Sequence, residues 1–182
     1  PHIGETGKLE RVDEQRIEVI LPNHLTNRVL QALRTAHPYE EVAYYLHKLE
    51  NENQEVGSGI IGQLAEALSS SDFLDYLKTQ MNLSVIRHTA VLDRPVKTVA
   101  ICGGAGSFLL PHAIRQGADV FVTADFKYHE FFDADGKIII ADIGHYESEV
   151  YTKELIQEFL CKKFVNFAVR LADTNTNPVF YT

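Results

Sequence analysis

The stretch KTVAICGGAGSFLLPHAIRQGADVFVTAD, residues 97–125, decides the fold class of this protein. It contains an apolar run, a glycine-rich turn, a helical pattern at 108–116 and a second apolar run. KIIIAD at 137–142 adds another strand, and a helical pattern follows at 148–164. Strands that alternate with helices are typical of a parallel sheet with helices on its faces. The sequence therefore predicts an α/β domain over residues 65–182.

The segments before this domain have a different pattern and predict a separate module over residues 1–64. A strand, a helix and two further strands in succession suit a small ferredoxin-like α+β module. The boundary is expected near a serine-rich stretch that caps the next helix. The predicted elements are strands at 16–21, 42–49 and 56–64, a helix from Thr26 that ends before Pro38, a helix at 73–81, and strands at 85–92, 165–171 and 177–182.

Composition narrows the class of protein. The chain has 182 residues, 45% of them hydrophobic, and a formal net charge of −8. Nucleic-acid affinity depends on clusters of Lys and Arg, and no such cluster stands out in this sequence. Nucleic acid is therefore not expected as a partner. No apolar run approaches the ~20 residues of a membrane-spanning helix. The two cysteines, Cys102 and Cys161, are predicted to be reduced. With no signal peptide at the first residues, these features favour the cytoplasm.

The candidates for chemistry lie where predicted parallel strands end, which is where ligands bind in α/β sheets. In IIIADIGHYESE, residues 138–149, His145 and Glu149 stand four positions apart and would share one face of a helix start. They could be two ligands of a Zn, Mn or Fe ion, with Asp142 orienting the histidine. The alternative is that His145 caps or packs and that the acids favour the positive end of the helix dipole.

Two other strand ends carry weaker candidates. Gly103, Gly104 and Gly106 could cradle an anion with backbone N–H groups, or could form a tight turn that needs positive φ. Asp125 stands ~20 residues further on, where a dinucleotide site places an acid, but the glycine spacing is a poor match. Asp125 and His129 follow a strand end, and for both a catalytic role and an ordinary polar loop remain open.

The run GGAGSFLLPHAIRQGADVFVTADFKYHEFFDADGKIIIADIGHYESE, residues 103–149, resembles the carboxyl-terminal half of dinuclear-metal proteins called GTP cyclohydrolase 1 type 2 homologues, the NGG-one-interacting-factor-three-like family. AHPYEEVAYYLHKLENENQEVGSGIIGQL, residues 36–64, looks like the PII-like or CutA-like module that bacterial members carry between the halves of their metal core. The resemblance implies that residues 1–64 form that inserted module and residues 65–182 the carboxyl-terminal half of the core.

The resemblance also implies a ligand set. His145 and Glu149 match the family's GH-x-x-x-E stretch, which supplies ligands to a centre of two divalent ions, Zn, Fe or Mn, in each full-length subunit. The other ligands, adjacent histidines and an aspartate, come from the family's amino-terminal half, and this sequence has no HH pair. The chain is therefore expected to be a fragment that carries part of the centre. The full-length protein is expected to be a homohexamer.

Three functions follow as hypotheses. The first is a metal-dependent hydrolase acting on a nucleotide-like or other small molecule, with His129 or Asp125 moving protons. The family name would place the attack at C8 of guanine. The second is a regulatory or metal-binding protein without turnover, whose PII-like module senses a ligand. The third is a nucleotide-binding fold that uses the glycine turn and Asp125 without a metal.

Overall fold

The computed structural model describes residues 4–9, 11–51 and 56–182. The elements are α1 Thr26–Ala36, β1 Ile60–Leu68, α2 Ser70–Gln80, β2 Arg87–His88, β3 Val96–Ala105, α3 Leu110–Arg115, β4 Val120–Ala124, β5 Ile139–Asp142, α4 His145–Glu149 and α5 Thr152–Lys163. Short 3-10 helices cover Asn23–Leu25, Ser107–Leu109 and Tyr128–Ala134. Within the described ranges, no helix is both long enough and apolar enough to cross a membrane.

The chain divides into two compact units, Pro1–Glu52 and Asn53–Thr182. Strand β1 belongs to the second unit, where it pairs with β3. The predicted domains, an inserted module at residues 1–64 and half of the core at residues 65–182, stay a prediction.

In the first unit the predicted helix is confirmed and the predicted strands are wrong. Helix α1 ends at Ala36, two residues before Pro38, as the ring of proline requires. Residues 16–21 and 42–49 form no strand, and most of their apolar side chains are exposed, Ile17 at 85% and Tyr45 at 81%. Alternating apolar residues show only that a segment suits a half-buried sheet, and a strand also needs a hydrogen-bonded neighbour. The described residues of this unit thus supply one α-helix, and none of the strands, of the predicted ferredoxin-like arrangement.

The second unit is built on a five-stranded sheet in the order β1-β3-β4-β5-β2. The three central strands, β3, β4 and β5, are parallel, and the edge strands β1 and β2 pair antiparallel with β3 and β5. This mixed sheet with helices confirms the α/β class. Because the central strands are parallel, their carboxyl ends meet at one edge of the sheet.

Strands β4 and β5 bury both faces, so they are largely apolar, whereas β3 is buried only in part. On one face Val120, Val122 and Ile139 pack with Phe73 and Leu77 of α2. On the other face the core combines residues of the strands with residues of α3 and of the loop after β4, namely Ala100, Phe121, Ile140, Leu110, Ala113 and Phe126. Strands β4 and β5 are fully buried and fix the loops that follow them.

Several predicted elements differ from those observed. The strand predicted at 85–92 is only two residues long, and the helix predicted at 148–164 is two helices, α4 and α5. The strands predicted at 165–171 and 177–182 are absent from this described part of the chain. Hydrogen bonds of side chains, rather than strand pairing, connect these segments to the helices. Gln157 Nε2 on α5 donates to the Val169 carbonyl oxygen over 3.0 Å, and Asn177 Nδ2 donates to Glu147 Oε1 on α4 over 3.1 Å.

Candidate metal centre

The loops after β3, β4 and β5 bring the candidate residues together at the carboxyl edge of the sheet. Gly104 is near the end of β3, Asp125 follows β4, and His145 begins α4 just after β5. Glu149 ends the same five-residue helix, so it lies one turn from His145 on the same face. Of the residues predicted for a site, the fold thus gathers Asp125, His145 and Glu149 beside the glycine turn.

His145 lies between two carboxylates. Its Nδ1 is 2.6 Å from Asp125 Oδ2, and its Nε2 is 3.3 Å from Glu149 Oε2. All three side chains are about half exposed, at 53%, 48% and 52% for His145, Asp125 and Glu149. The hydrogen bond to Asp125 is the largest effect and raises the pKa of His145. Burial, the next largest effect, opposes this rise, and the charges of Asp125 and Glu149 add to it.

This geometry fits two ligands of a divalent ion. With Asp125 accepting from Nδ1–H, Nε2 would be the ligand atom, and it lies on the side of Glu149, as in the carboxylate–histidine–metal arrangement of many metal sites. Bonds of about 2.1 Å at a near-tetrahedral angle would hold N and O donors about 3.4 Å apart, and the observed separation is 3.3 Å. Among the described residues no group of three or more His, Cys, Asp or Glu forms a complete ligand set. His145 and Glu149 are thus two candidate ligands at this place.

Glycine is favoured at position 104. Its φ is +64°, and a Cβ there would lie 2.5 Å from Glu149 Oε1 and 3.3 Å from His145 Cε1. Its N–H donates to Ser148 Oγ over 2.8 Å, and Ser148 Oγ in turn donates to the His145 carbonyl oxygen over 2.8 Å. The turn is thus shaped around α4. Because the N–H is engaged and a carboxylate is adjacent, the turn is poorly suited to cradle a phosphate.

Asp142 does not accept a hydrogen bond from the His145 imidazole, so the prediction that it orients the ring as that acceptor is wrong. Its carboxylate is 4% exposed and accepts hydrogen bonds from the Phe126 N–H, the Gly144 N–H and Arg87. The residue that orients His145 is Asp125, whose own φ is +58°. The sequence indicated an acidic partner for the histidine. Asp125 directly follows β4 and Asp142 ends the neighbouring β5, so only the loop geometry shows which of the two binds the ring.

His129 lies apart from this group. It is in the 3-10 helix Tyr128–Ala134, exposed, with its ring edge-on to Tyr128 at a centroid distance of 5.4 Å. It is not among the residues that line the cleft beside His145, whereas Asp125 is. A catalytic role for His129 and for Asp125 stays a prediction, and the geometry favours Asp125.

A cleft of about 630 Å³ opens beside the His145–Glu149 pair. Lys153 lines it together with the closing segment of the chain, including Asn177 and Tyr181. Burial raises the pKa of the Tyr181 hydroxyl, and the charges of Glu147 and Asp142 add to this effect. A cleft of this volume is of the size that takes a small organic ligand.

Sequence reasoning missed Arg87, Asn177 and Tyr181, which line this cleft, and Ser148, which binds the glycine turn. Ser148 could have been found, because a serine three residues after a helix start often bonds the backbone of the first turn. Arg87 is opposite Asp142 only through the β2–β5 register. Asn177 and Tyr181 reach the cleft from a segment with no regular structure, which periodicity does not place.

Comparison with known proteins bears on this arrangement. Residues 8–178 match the Duf34/NIF3 (NGG1p interacting factor 3) family. The chain belongs to that family. The resemblance noted from residues 103–149 is thereby confirmed, while the PII-like or CutA-like character of the inserted segment stays a prediction.

Curated relatives of this NIF3-family chain include proteins named GTP cyclohydrolase 1 type 2 homolog. One from Staphylococcus epidermidis is 36% identical over 185 residues, a match that covers 100% of this chain and 50% of that protein. Another from Bacillus subtilis is 37% identical over 184 residues, covering 98% of this chain and 49% of that protein. The chain thus spans about half the length of the curated relatives it matches.

Solved structures give the same relationship. A Bacillus cereus protein related to NIF3 is 33% identical with a TM-score of 0.72, and the match covers 89% of this chain and 46% of that one. A Staphylococcus aureus protein is 28% identical with a TM-score of 0.72, covering 92% of this chain and 56% of that one.

Proposed function

We propose that this chain binds a divalent ion, Zn, Mn or Fe, through His145 Nε2 and the Glu149 carboxylate, as its share of a dinuclear centre. The observation that supports this most directly is the 3.3 Å separation of these two donors, with Nδ1 of the same imidazole bound to Asp125. A hydrogen-bonded Nδ1 fixes the ring orientation and leaves Nε2 as the ligand atom. Glu149 supplies the negative charge that a hard or borderline cation requires.

The proposed activity of the whole protein is metal-dependent hydrolysis of a nucleotide-like or other small molecule. A bound divalent ion would supply a water of lowered pKa. Asp125 would hold the Nδ1 proton and keep the imidazole oriented, and the cleft of about 630 Å³ would take the substrate. The name of the curated relatives, GTP cyclohydrolase 1 type 2 homolog, supports the nucleotide-like class.

The remaining parts of the proposal concern residues beyond this chain. The relatives are about twice as long, which supports the proposal that the other metal ligands come from outside these 182 residues. We further propose a homohexamer as the full-length assembly, the cytoplasm as its location, and ligand sensing by the inserted module.

A second candidate is a regulatory or metal-binding protein without turnover. One observation favours it: His129, a proposed proton carrier, is exposed and does not line the cleft beside His145. The two candidates differ in activity alone. Loss of hydrolysis of a nucleoside triphosphate by a full-length His145→Ala variant that stays folded would favour the enzyme, and metal binding without any turnover would favour the second candidate.

The direct test is zinc titration by calorimetry. His145→Ala and Glu149→Gln are each expected to weaken zinc binding at least about tenfold. The matched controls are His112→Ala, an exposed histidine on α3, and Glu158→Gln, which breaks an exposed pair with Lys162 on α5. Both controls should bind zinc as the parent chain does. Binding that survives in His145→Ala would overturn the proposal.

A further inference from the structure

A single buried carboxylate joins the two loops that carry the candidate site. Asp142 Oδ2 accepts from the Phe126 N–H over 3.1 Å, and Asp142 Oδ1 accepts from the Gly144 N–H over 3.1 Å. Phe126 directly follows Asp125, and Gly144 directly precedes His145. Asp142 therefore binds the backbone of the residues next in sequence to Asp125 and to His145, the two residues that form the hydrogen bond of the site.

Arg87 completes this connection from the neighbouring strand. Its Nη1 donates to Asp142 Oδ2 over 3.0 Å, and its Nη2 donates to the Phe126 carbonyl oxygen over 3.1 Å. The guanidinium also lies over the Phe131 ring, 5.0 Å from its centroid. The β2–β5 register places Arg87 directly opposite Asp142. Since Asp142 is 4% exposed, its charge needs this partner.

The loop after β4 needs such support because Asp125 has a φ of +58°, a conformation that costs a non-glycine residue free energy. We propose that Arg87 is a positioning residue: through Asp142 and Phe126 it holds Asp125 and His145 at hydrogen-bonding distance. The consequence for metal binding rests on the proposed function, while the effect on the Asp125–His145 hydrogen bond does not.

The same sheet offers a control at its other end. Arg94 Nη2 lies 3.4 Å from Asp119 Oδ1 and donates to the Lys137 carbonyl oxygen over 2.8 Å. Asp119 Oδ2 accepts from two backbone N–H groups, those of Lys97 and Thr98. The exposure of the two arginines is nearly equal, 55% for Arg87 and 52% for Arg94. Asp119 precedes β4, whereas the candidate site follows it.

The experiment compares Arg87→Met, Arg87→Lys and Arg94→Met in the 182-residue chain. The first measurement is the ¹⁵N NMR spectrum of the His145 imidazole in metal-free protein, at a pH well above the titration of histidine. The parent chain should show the proton on Nδ1, as should Arg94→Met. Arg87→Met should populate both tautomers, and Arg87→Lys should lie between, because lysine keeps the charge but cannot bond two acceptors as a fork.

The second measurement is zinc affinity. Arg87→Met should bind zinc about 10- to 100-fold more weakly, the range typical for residues that orient a metal ligand. Arg94→Met should bind as the parent does. A folded Arg87→Met variant with the parent tautomer and zinc affinity would overturn the inference, as would equal losses in Arg94→Met. If Arg87→Met does not fold, Arg87→Lys decides by the same criteria.

Failure of the two proposals can be told apart. If the parent chain binds no zinc, the proposed function fails, and the tautomer comparison alone decides whether Arg87 positions the pair. If the parent chain binds zinc through His145 but neither measurement responds to Arg87, the positioning role fails and the proposed function stands.

Discussion

At the scale of one residue, a proton and a metal ion would compete for the imidazole of His145. Asp125 accepts its Nδ1–H over 2.6 Å, and this hydrogen bond raises the pKa of His145 above the ordinary value of about 6.5. In metal-free protein the stabilisation from protonated His145 is fully present below that value and is lost as pH rises through the raised pKa. Metal binding requires the neutral ring, so zinc affinity should rise over the same pH range.

The prediction is that Asp125→Asn lowers the pKa of His145 toward its ordinary value, because a neutral amide replaces the charged acceptor. Histidine NMR titration in the presence of a chelator measures it. The control is Asp133→Asn, an exposed aspartate in the 3-10 helix Tyr128–Ala134, which should leave the His145 titration unchanged. An unaltered pKa in Asp125→Asn would contradict the hydrogen bond described here.

Gly104 gives a second prediction at this scale. Gly104 and Gly117 have similar positive φ values, +64° and +72°, but a Cβ at Gly104 would lie 2.5 Å from Glu149 Oε1, and at Gly117 it would meet nothing within 4 Å. Gly117→Ala should therefore lower the unfolding free energy by about 1–2 kcal/mol from backbone strain alone. Gly104→Ala should cost more and also weaken zinc binding, because Glu149 must move.

Urea unfolding and zinc titration of both glycine variants separate these effects. Equal losses of stability, with zinc affinity kept in both, would show that Glu149 is not held against the turn.

At the scale of one element, helix α2 begins with a side-chain cap. Ser69 Oγ accepts from the Asp72 N–H over 3.1 Å, as a serine before a helix is expected to do. Ser69→Ala should lower the unfolding free energy by about 1 kcal/mol. Ser71→Ala, at an exposed position inside the helix, should change it by less than about 0.5 kcal/mol. Similar losses from both, measured by urea unfolding, would refute the cap.

The elements that the sequence predicted well are those whose secondary structure depends on their own residues and the residues next to them. Strands β4 and β5 are mostly apolar because both faces are buried. The Ser69 cap and the end of α1 before Pro38 depend on residues adjacent in sequence. The convergence of three strand ends at His145 followed from a parallel sheet alone.

The failures depend on contacts distant in sequence. One continuous helix was predicted where α4 ends at Glu149 and α5 begins at Thr152, and between them the Tyr151 hydroxyl donates to the Met81 carbonyl oxygen over 3.0 Å. The role of Arg87 depends on a two-residue strand that lies opposite Asp142. Such pairings are set by register, which local patterns do not contain.

At the scale of the whole molecule, the two compact units differ in how their apolar residues are placed. In the second unit, Ile139, Ile140 and Ala141 are fully buried at the centre of the sheet. In the first, Ile17 and Ile20 are 85% and 80% exposed, and no core residue lies within its described ranges. Stability should therefore be distributed unevenly along the chain, because local opening costs least where few apolar contacts are made.

The last prediction is the pattern of amide hydrogen exchange that this difference should produce. Amides of β4 and β5 should exchange slowest, close to the rate set by global unfolding, because their hydrogen bonds open only when the buried sheet does. Amides at residues 16–21 and 42–49 should exchange near the rate of an unstructured peptide, since these segments form no strand. The edge strand β1 is the internal control: it is hydrogen-bonded but mostly exposed, and should exchange at intermediate rates. Protection at 16–21 equal to that of β4 would show that the first segments pair as strands, as their alternating apolar pattern first indicated.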